Sequence, residues 1–248
     1  MIVDAIKTRK FLPPKDDLWS LLLTSIKSIK DSSIVCISSK VVAIAEGRSV
    51  PIENISKDDL AIKEADRYIP RDQAPDGLIL HTIINNMLVA SAGIDESNGN
   101  GYFILWPENP QLSAKKIWEF LKEKYKLENL GVVITDSRLI PLRRGVVGIA
   151  IGFYGFNPLK DYRGKEDIFG REFKMETSNI PDSLATAAVL EMGEGAETRP
   201  IAIISGVKDI EFTSKDESEN LKIEEKEDMF YPLLSSANWM KGGSGKKQ

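Results

Sequence analysis

Three acidic corners carry the chemistry this sequence could do. Asp95 lies in AGIDESNG, Asp136 in VITDSR and Glu194 in EMGEGAE, each an apolar stretch followed by an acid and then by small or polar residues. Taken singly, each reads as a turn, because Asp, Asn, Ser and Gly are turn formers. Taken together, they have another use. Three carboxylates that meet in space repel one another unless a cation sits between them. Such a group could hold one or two Mg2+ or Mn2+ ions and leave positions for phosphate oxygens, the usual way magnesium is shared with a nucleotide. Ser137 could add a hydroxyl ligand.

Basic residues supply the complement. PLRRGVV offers Arg143 and Arg144, and DYRGKEDIFGR offers Arg163 and Arg171. Arginine grips phosphate or carboxylate with a bidentate fork, although surface ion pairing is the ordinary use of any one of them. In SSKVVAIAEGR, a Ser-Ser-Lys ends a strand and opens a short helix, which aims backbone N–H groups at an anion. It is not a Walker loop, because the glycine pattern is absent. The scarce residues exclude much else. The single cysteine, Cys36, sits in IVCI and reads as core, so no intrachain disulfide and no cysteine-built zinc site can form. The single histidine, His81, lies among aliphatics in LILHTII and reads as packed. Any metal must therefore be hard and oxygen-bound.

These residues need a scaffold. Leu18, Leu21, Leu22, Ile26 and Ile29 predict a helix opening at Asp16 or Asp17. IVCIS (34–38) reads as a buried strand that feeds a short helix closed by Gly47. LAIKEADRYI reads as helical, and LILHTII and MLVASAG flank an Asn85-Asn86 hairpin turn. PENPQLSAKKIWEFLKEKYKL is the clearest helix, with Ser113 as its cap and Ile117, Trp118, Leu121 and Tyr125 on one face. GVVITDS reads as a strand ending on Asp136, and VVGIAIGFYG as another strand. PDSLATAAVLEMG is a helix with Pro181 in its first turn and Gly193 past its end, and PIAIISG is the last strand. The charged run from Lys208 to Phe230 reads as solvated loop and helix. Without regular βα alternation the class is α+β, with mixed or antiparallel sheets and flanking helices. One domain is expected over 1–240, with possible subdomains at 1–99 plus 190–240 and at 100–189, and a flexible tail at 241–248.

Composition agrees with a folded, soluble chain. Hydrophobic residues make up 42% and charged residues 28% of 248 positions, with a net charge of −4. That balance gives no general drive toward nucleic acid or an anionic membrane. No apolar run approaches the ~20 residues of a membrane span, and MIVDAIKTRK lacks a signal-peptide core, so the expected location is cytoplasmic.

As a set, SSKVVAIAEGR, ASAGIDESNG, GVVITDSRLIPLRRG, AIGFYGFNPLKDYRGKEDIFGR and DSLATAAVLEMGEGAE resemble the coenzyme F420:L-glutamate ligase family, in order and spacing, from about residue 10 to 206. The resemblance implies a mixed α/β fold of that family, a homodimer with its site near the subunit interface, and GTP- or ATP-driven joining of L-glutamate to a deazaflavin carboxylate through an acyl phosphate. It implies Asp95 and Asp136 as metal ligands, Ser137 where a threonine normally assists a second metal, and Glu194 at that second metal. Leu12, Pro13, Pro14, Lys15, Ser39, Lys40, Asn98, Met192 and Gly193 match nucleotide-contacting positions. Arg143 and Arg163 match the catalytic cations, and a potassium ion is a further implied cofactor. Three positions depart from the family: Ile44 replaces a lysine, Leu142 a tryptophan and Gly148 an acid. The changes fall on the substrate and base sides. A folate or pterin acceptor is thus the alternative, followed by a non-catalytic nucleotide-binding relative.

Overall fold

We describe the protein from a computed structural model, whose described residues are 1–243. Its strands, in chain order, are β1 (Ile2–Ile6), β2 (Ser33–Ser38), β3 (Ser49–Pro51), β4 (Arg67–Ile69), β5 (His81–Ile84), β6 (Met87–Ala90) and β7 (Tyr102–Ile104), then β8 (Leu130–Leu139), β9 (Val146–Tyr154), β10 (Leu159–Asp161), β11 (Thr177–Asn179), β12 (Ile201–Ser205) and β13 (Met240–Lys241). The helices are α1 (Leu18–Ser25), α2 (Ser39–Ala45), α3 (Lys57–Glu64), α4 (Pro110–Tyr125), α5 (Ile180–Met192) and the single turn α6 (Tyr231–Leu234). The class is α+β, as expected.

The main sheet has five strands in the order β1-β12-β2-β8-β9. Only β2 and β8 run parallel, while the other neighbours are antiparallel. The apolar run of β2 explains its central place. Ile34 and Cys36 pack on one face with Leu184, Ala185 and Ala188 of α5. Val35 and Ile37 pack on the other with Leu21 and Leu22 of α1 and Ile117 and Leu121 of α4. A strand covered on both faces needs apolar residues at every position, not at every second one. Cys36 is fully buried, as its neighbours predict, and burial pushes its thiol pKa above the ordinary value. This sheet joins β2 and β12 to β8 and β9, so it runs across the subdomain boundaries expected at residues 99 and 190.

A four-stranded sheet, β13-β4-β5-β6, and two strand pairs, β3-β7 and β10-β11, complete the fold. Asn85 and Asn86 turn the β5–β6 hairpin, both at positive φ (51° and 62°), as a two-residue turn of that hand requires. Several boundaries differ from the sequence reading. α1 stops at Ser25, yet Ile26, already extended, and Ile29 beyond it stay buried. LAIKEADRYI is not one helix: α3 ends at Glu64, and Arg67–Ile69 pairs with β5, because an edge strand there completes the sheet. The cap of α4 is Asn109, whose side chain accepts from the Leu112 N–H, with Pro110 in the first turn. Ser113 is internal, and its hydroxyl donates to Glu46. The expected tail begins later than residue 241. Lys241 pairs with Arg67, and the Gly242 and Gly243 N–H groups donate to Asp66 and Ile62 carbonyls. The rest of that tail, 244–248, lies outside the described residues.

Candidate functional site

Strand direction brings the chemistry to one edge. Because β2 and β8 are parallel, with Ser38 opposite Thr135, both deliver their C-terminal ends to the same side of the sheet. In sheets with parallel neighbours, ligands bind at that side. β12 is antiparallel to β2, so its start lies there too, and the Ser38 N–H donates to the Pro200 carbonyl at 2.9 Å. The end of β1 pairs with that same start, and residues 8–13 leave from it. α5 ends beside them, with Gly193 at φ +82° turning the chain into Glu194. The result is a cleft of about 650 Å3, lined by residues from Thr8 to Pro13, Ser38 to Val41, Ile44, the 93–100 loop, Thr135 to Ser137, Val189 and Met192 to Pro200.

All three acidic corners face this cleft. Asp136 is not at the end of its strand, as the sequence reading had it. β8 continues to Leu139, and a break in register between Ile134 and Thr135 re-aims the residues that follow. Asp95 stands on an isolated bridge to Ile104. The loop after it closes tightly: a Cβ at Gly99 would lie 2.2 Å from the Tyr102 carbonyl oxygen, so close backbone approach, not φ, demands glycine. Ser137 donates to Glu194 Oε1 at 2.6 Å, and Asn98 Nδ2 donates to the Gly195 carbonyl at 3.0 Å. These bonds tie the 193–197 segment to both other corners.

The two inner acids differ in charge state. Burial raises the Asp95 pKa, but the Lys40 charge and hydrogen bonds from Lys40 and Ser97 outweigh it and hold the group below the ordinary value. Lys40 Nζ lies 2.6 Å from Asp95 Oδ2 and 2.7 Å from the Ser97 carbonyl oxygen. Asp136 has no salt-bridge partner among the described residues, and the Lys40 charge acts on it only from a distance. Burial pushes its pKa up to about 7, with a smaller upward push from Asp95; the Trp106 indole, the Ser137 N–H and, least of all, the Lys40 charge work the other way. A carboxylate held in that state is one a cation would relieve. The donor set therefore fits a hard divalent ion on Asp95 and Asp136. Among the described residues, no three acidic, His or Cys side chains close into a metal cage. The three corners share a cleft, then, without meeting at one point, and two carboxylates with phosphate and water completing the shell is ordinary for magnesium.

Of the other expected residues, Leu12, Pro13, Ser39, Lys40, Asn98, Met192 and Gly193 line the cleft, whereas Pro14 and Lys15 continue the first loop without lining it. Arg143 and Arg163 do not line it either. Arg143 stands exposed at the tip of the β8–β9 hairpin, and Arg163 pairs with Asp161 at 2.7 Å on the surface. The departures acquire reasons. Ile44 is buried with Ala43 and Ile104, with Phe11 and Tyr102 packed against them, making an apolar wall of the cleft. Gly148 is demanded by packing, since a Cβ would lie 2.5 Å from the Ala185 carbonyl oxygen and 2.8 Å from Val189. Leu142 is fully exposed beside Arg143. Sequence reasoning missed Arg199, half-buried in the cleft wall, with no ion-pair partner found among the described residues. It also missed Trp106, behind Asp136. Neither stands in a patterned motif, so no local signal marked them.

A family profile described as F420-0:Gamma-glutamyl ligase matches residues 6–206. The chain is 34% identical over 222 residues to the coenzyme F420:L-glutamate ligase of Methanopyrus kandleri, covering 83% of this chain and 87% of that protein. It is 35% identical over 206 residues to the protein of the same name from Methanosarcina mazei, covering 77% and 80%. With the Haloarcula marismortui protein of that name it shares 30% identity over 241 residues, covering 89% and 92%. The chain belongs to the F420-0:gamma-glutamyl ligase family.

Proposed function

We propose that this member of the gamma-glutamyl ligase family joins L-glutamate to the carboxylate of a coenzyme F420 precursor, driven by GTP or ATP and a divalent cation. The observation that carries the reading is the meeting of Asp95, Asp136 and Lys40 in one cleft, inside the segment the family profile matches. In this reading an acceptor carboxylate oxygen attacks the γ-phosphorus, and the bond to the nucleoside diphosphate breaks. The glutamate amine then attacks the acyl carbon, phosphate leaves, and the amine loses a proton. Asp95 and Asp136 would hold one Mg2+ or Mn2+ ion, and Ser137 with Glu194 a second. Bound there, the ion neutralises charge on the phosphoryl group in transfer. Of the cations that line the cleft (Arg9, Lys10, Lys40 and Arg199), Lys40 beside Asp95 and Arg199 are the ones assigned here to phosphate oxygens, Arg9 being paired with Asp16. Ile44, with Phe11 beside it, presents an apolar surface suited to a base. A potassium ion has no separate support among these residues.

A homodimer belongs to the same proposal. Leu142, Ile168 and Phe169, on the loops that carry Arg143 and Arg163, and Leu190 on α5 are more than four-fifths exposed (105%, 91%, 88% and 81%). Large apolar side chains left this exposed are candidates for cover by a second copy. In a dimer the two arginines would reach the cleft of the second copy. Among the described residues, no helix is long and apolar enough to cross a membrane.

The test is a ligation assay read by mass spectrometry. Protein, Mn2+ or Mg2+, glutamate and both nucleotides are offered the deazaflavin acceptor and a reduced folate side by side. Gain of a glutamyl unit on the deazaflavin is expected. Gain on folate alone would replace the acceptor, and nucleotide binding without either product would turn the reading to a non-catalytic relative.

A further inference from the structure

Behind Asp136 lies a side chain that neither the family motifs nor the cleft lining includes. Trp106 sits between β7 and α4 and is 3% exposed. Its indole N–H donates to Asp136 Oδ2. The other oxygen, Oδ1, accepts from the Ser137 N–H at 2.8 Å. Each carboxylate oxygen thus has one neutral donor and further acceptor capacity left over, on a residue that lines the cleft. The indole lies where only glycine permits it: a Cβ at Gly93 would fall 2.1 Å from Trp106 Nε1. Its backbone is held too. The Trp106 carbonyl accepts from Arg48 Nε at 3.0 Å, and the Arg48 guanidinium is paired with the buried Glu64.

From this we infer that Trp106 is a positioning residue for the metal-binding carboxylate of Asp136. The inference rests on the metal site of the proposed function. Lys40 holds Asp95 by charge, and a bound cation competes with it. Trp106 holds Asp136 with a neutral donor that has no acceptor capacity and is wedged between Gly93 and the sheet. A cation does not repel it, so its bond persists in the loaded site and keeps the carboxylate aimed. Donors behind a ligating group commonly matter to metal affinity by about ten- to a hundredfold.

The experiment compares wild type with Trp106→Phe, which keeps the ring and removes the N–H. Free Mn2+ is followed by electron paramagnetic resonance as protein is titrated, and the ligation rate is measured across Mn2+ concentration. Mn2+ binding about ten- to a hundredfold weaker is expected, with kcat at saturating Mn2+ within a few-fold of wild type. Unchanged Mn2+ affinity with only a lower melting temperature would overturn the inference and leave Trp106 a packing residue. If the phenylalanine variant does not fold, Trp106→benzothienylalanine replaces N–H by sulfur at nearly constant shape and is titrated in its place, with the same two outcomes. Asp136→Asn separates the levels. If wild type binds no Mn2+, or binds it as well after that substitution, the metal reading itself fails and the inference with it. If Asp136→Asn abolishes binding and the tryptophan variant does not weaken it, only the role of Trp106 is lost.

Discussion

Asp95 and Asp136 are the same residue in the same cleft, yet their surroundings push them opposite ways. Asp95 stands on a loop beside an ammonium group, and its carboxylate is held ionised below the ordinary range. Asp136 stands within a central strand against an indole, and burial carries its pKa up to about 7. One acid already has a cation, and the other is built around neutral donors. The difference shows that a carboxylate's charge state is set by what packs against it, not by its own type. If a divalent ion binds as proposed, Asp95 would exchange Lys40 for it, whereas Asp136, which feels the Lys40 charge only at a distance, would gain its first direct ion-pair partner.

The largest expected effect breaks this pair apart. Asp136→Asn removes a ligand worth several kcal/mol of transition-state stabilisation, so ligation should fall by about a thousandfold or more. The same change should help the empty fold. A carboxyl whose folded pKa is raised from 3.8 to about 7 holds its proton in the folded state while the unfolded state has lost it. The metal-free protein therefore loses stability as pH rises through about 4 to 7, and the asparagine variant should lack that loss. Melting temperatures in a chelator across that range check the sign. A variant that melts lower than wild type at every pH would place Asp136 among the structural residues instead.

Next in size is Lys40→Met. With the ammonium gone, Asp95 has no cation, so Mn2+ should bind at least as well without nucleotide. Turnover should nonetheless drop by about a hundredfold, because the phosphate oxygens lose their donor. A parallel loss of metal binding and turnover would mean that Lys40 shapes the Asp95 loop. Mixing inactive Asp136→Asn and Arg143→Ala chains extends the comparison across copies: partial recovery of activity is expected if Arg143 acts on a partner's cleft. No recovery from mixed chains shown to exchange subunits would return Arg143 to its own surface.

Smaller effects test the scaffold. Gly148 pairs across from Ser137, one position from Asp136. Gly148→Asp would install the acid that the family resemblance leads one to expect there, but its Cβ meets α5, so a loss of about 1–3 kcal/mol is expected by chemical denaturation, without gain of activity. Ser137→Ala is the mildest. It removes the donor to the exposed Glu194 and should cost no more than about 1 kcal/mol of stability. A larger effect on turnover than on stability would separate the second metal position from a surface tie.

Much of the scaffold was legible because it repeats a pattern. The IVCIS strand, the PQLSAKKIWEFLKEKY helix and the Asn85-Asn86 turn each state their structure in local spacing. Element ends were harder. The stretch from Lys57 to Ile69 has continuous helical composition, and only the edge of β5 makes its last residues a strand. Asp136 looked like a strand end because TDS is turn chemistry, whereas the pairing of β8 with β9 carries it on to Leu139.

By itself, the sequence determined the alphabet of the site. Oxygen ligands without a histidine or cysteine set, a lysine after a strand, and motifs in the family's order are properties of the chain as text. Only the tertiary structure decided which of them meet. Parallel pairing of β2 with β8 set Lys40 beside the acidic corners, and the lie of the hairpin kept Arg143 out of the cleft of its own chain. It also set an indole behind one carboxylate and an ammonium before the other. The physical reason is that pKa, charge pairing and access depend on groups far apart in sequence, as Trp106 and Asp136 are, and no local spacing records such a contact.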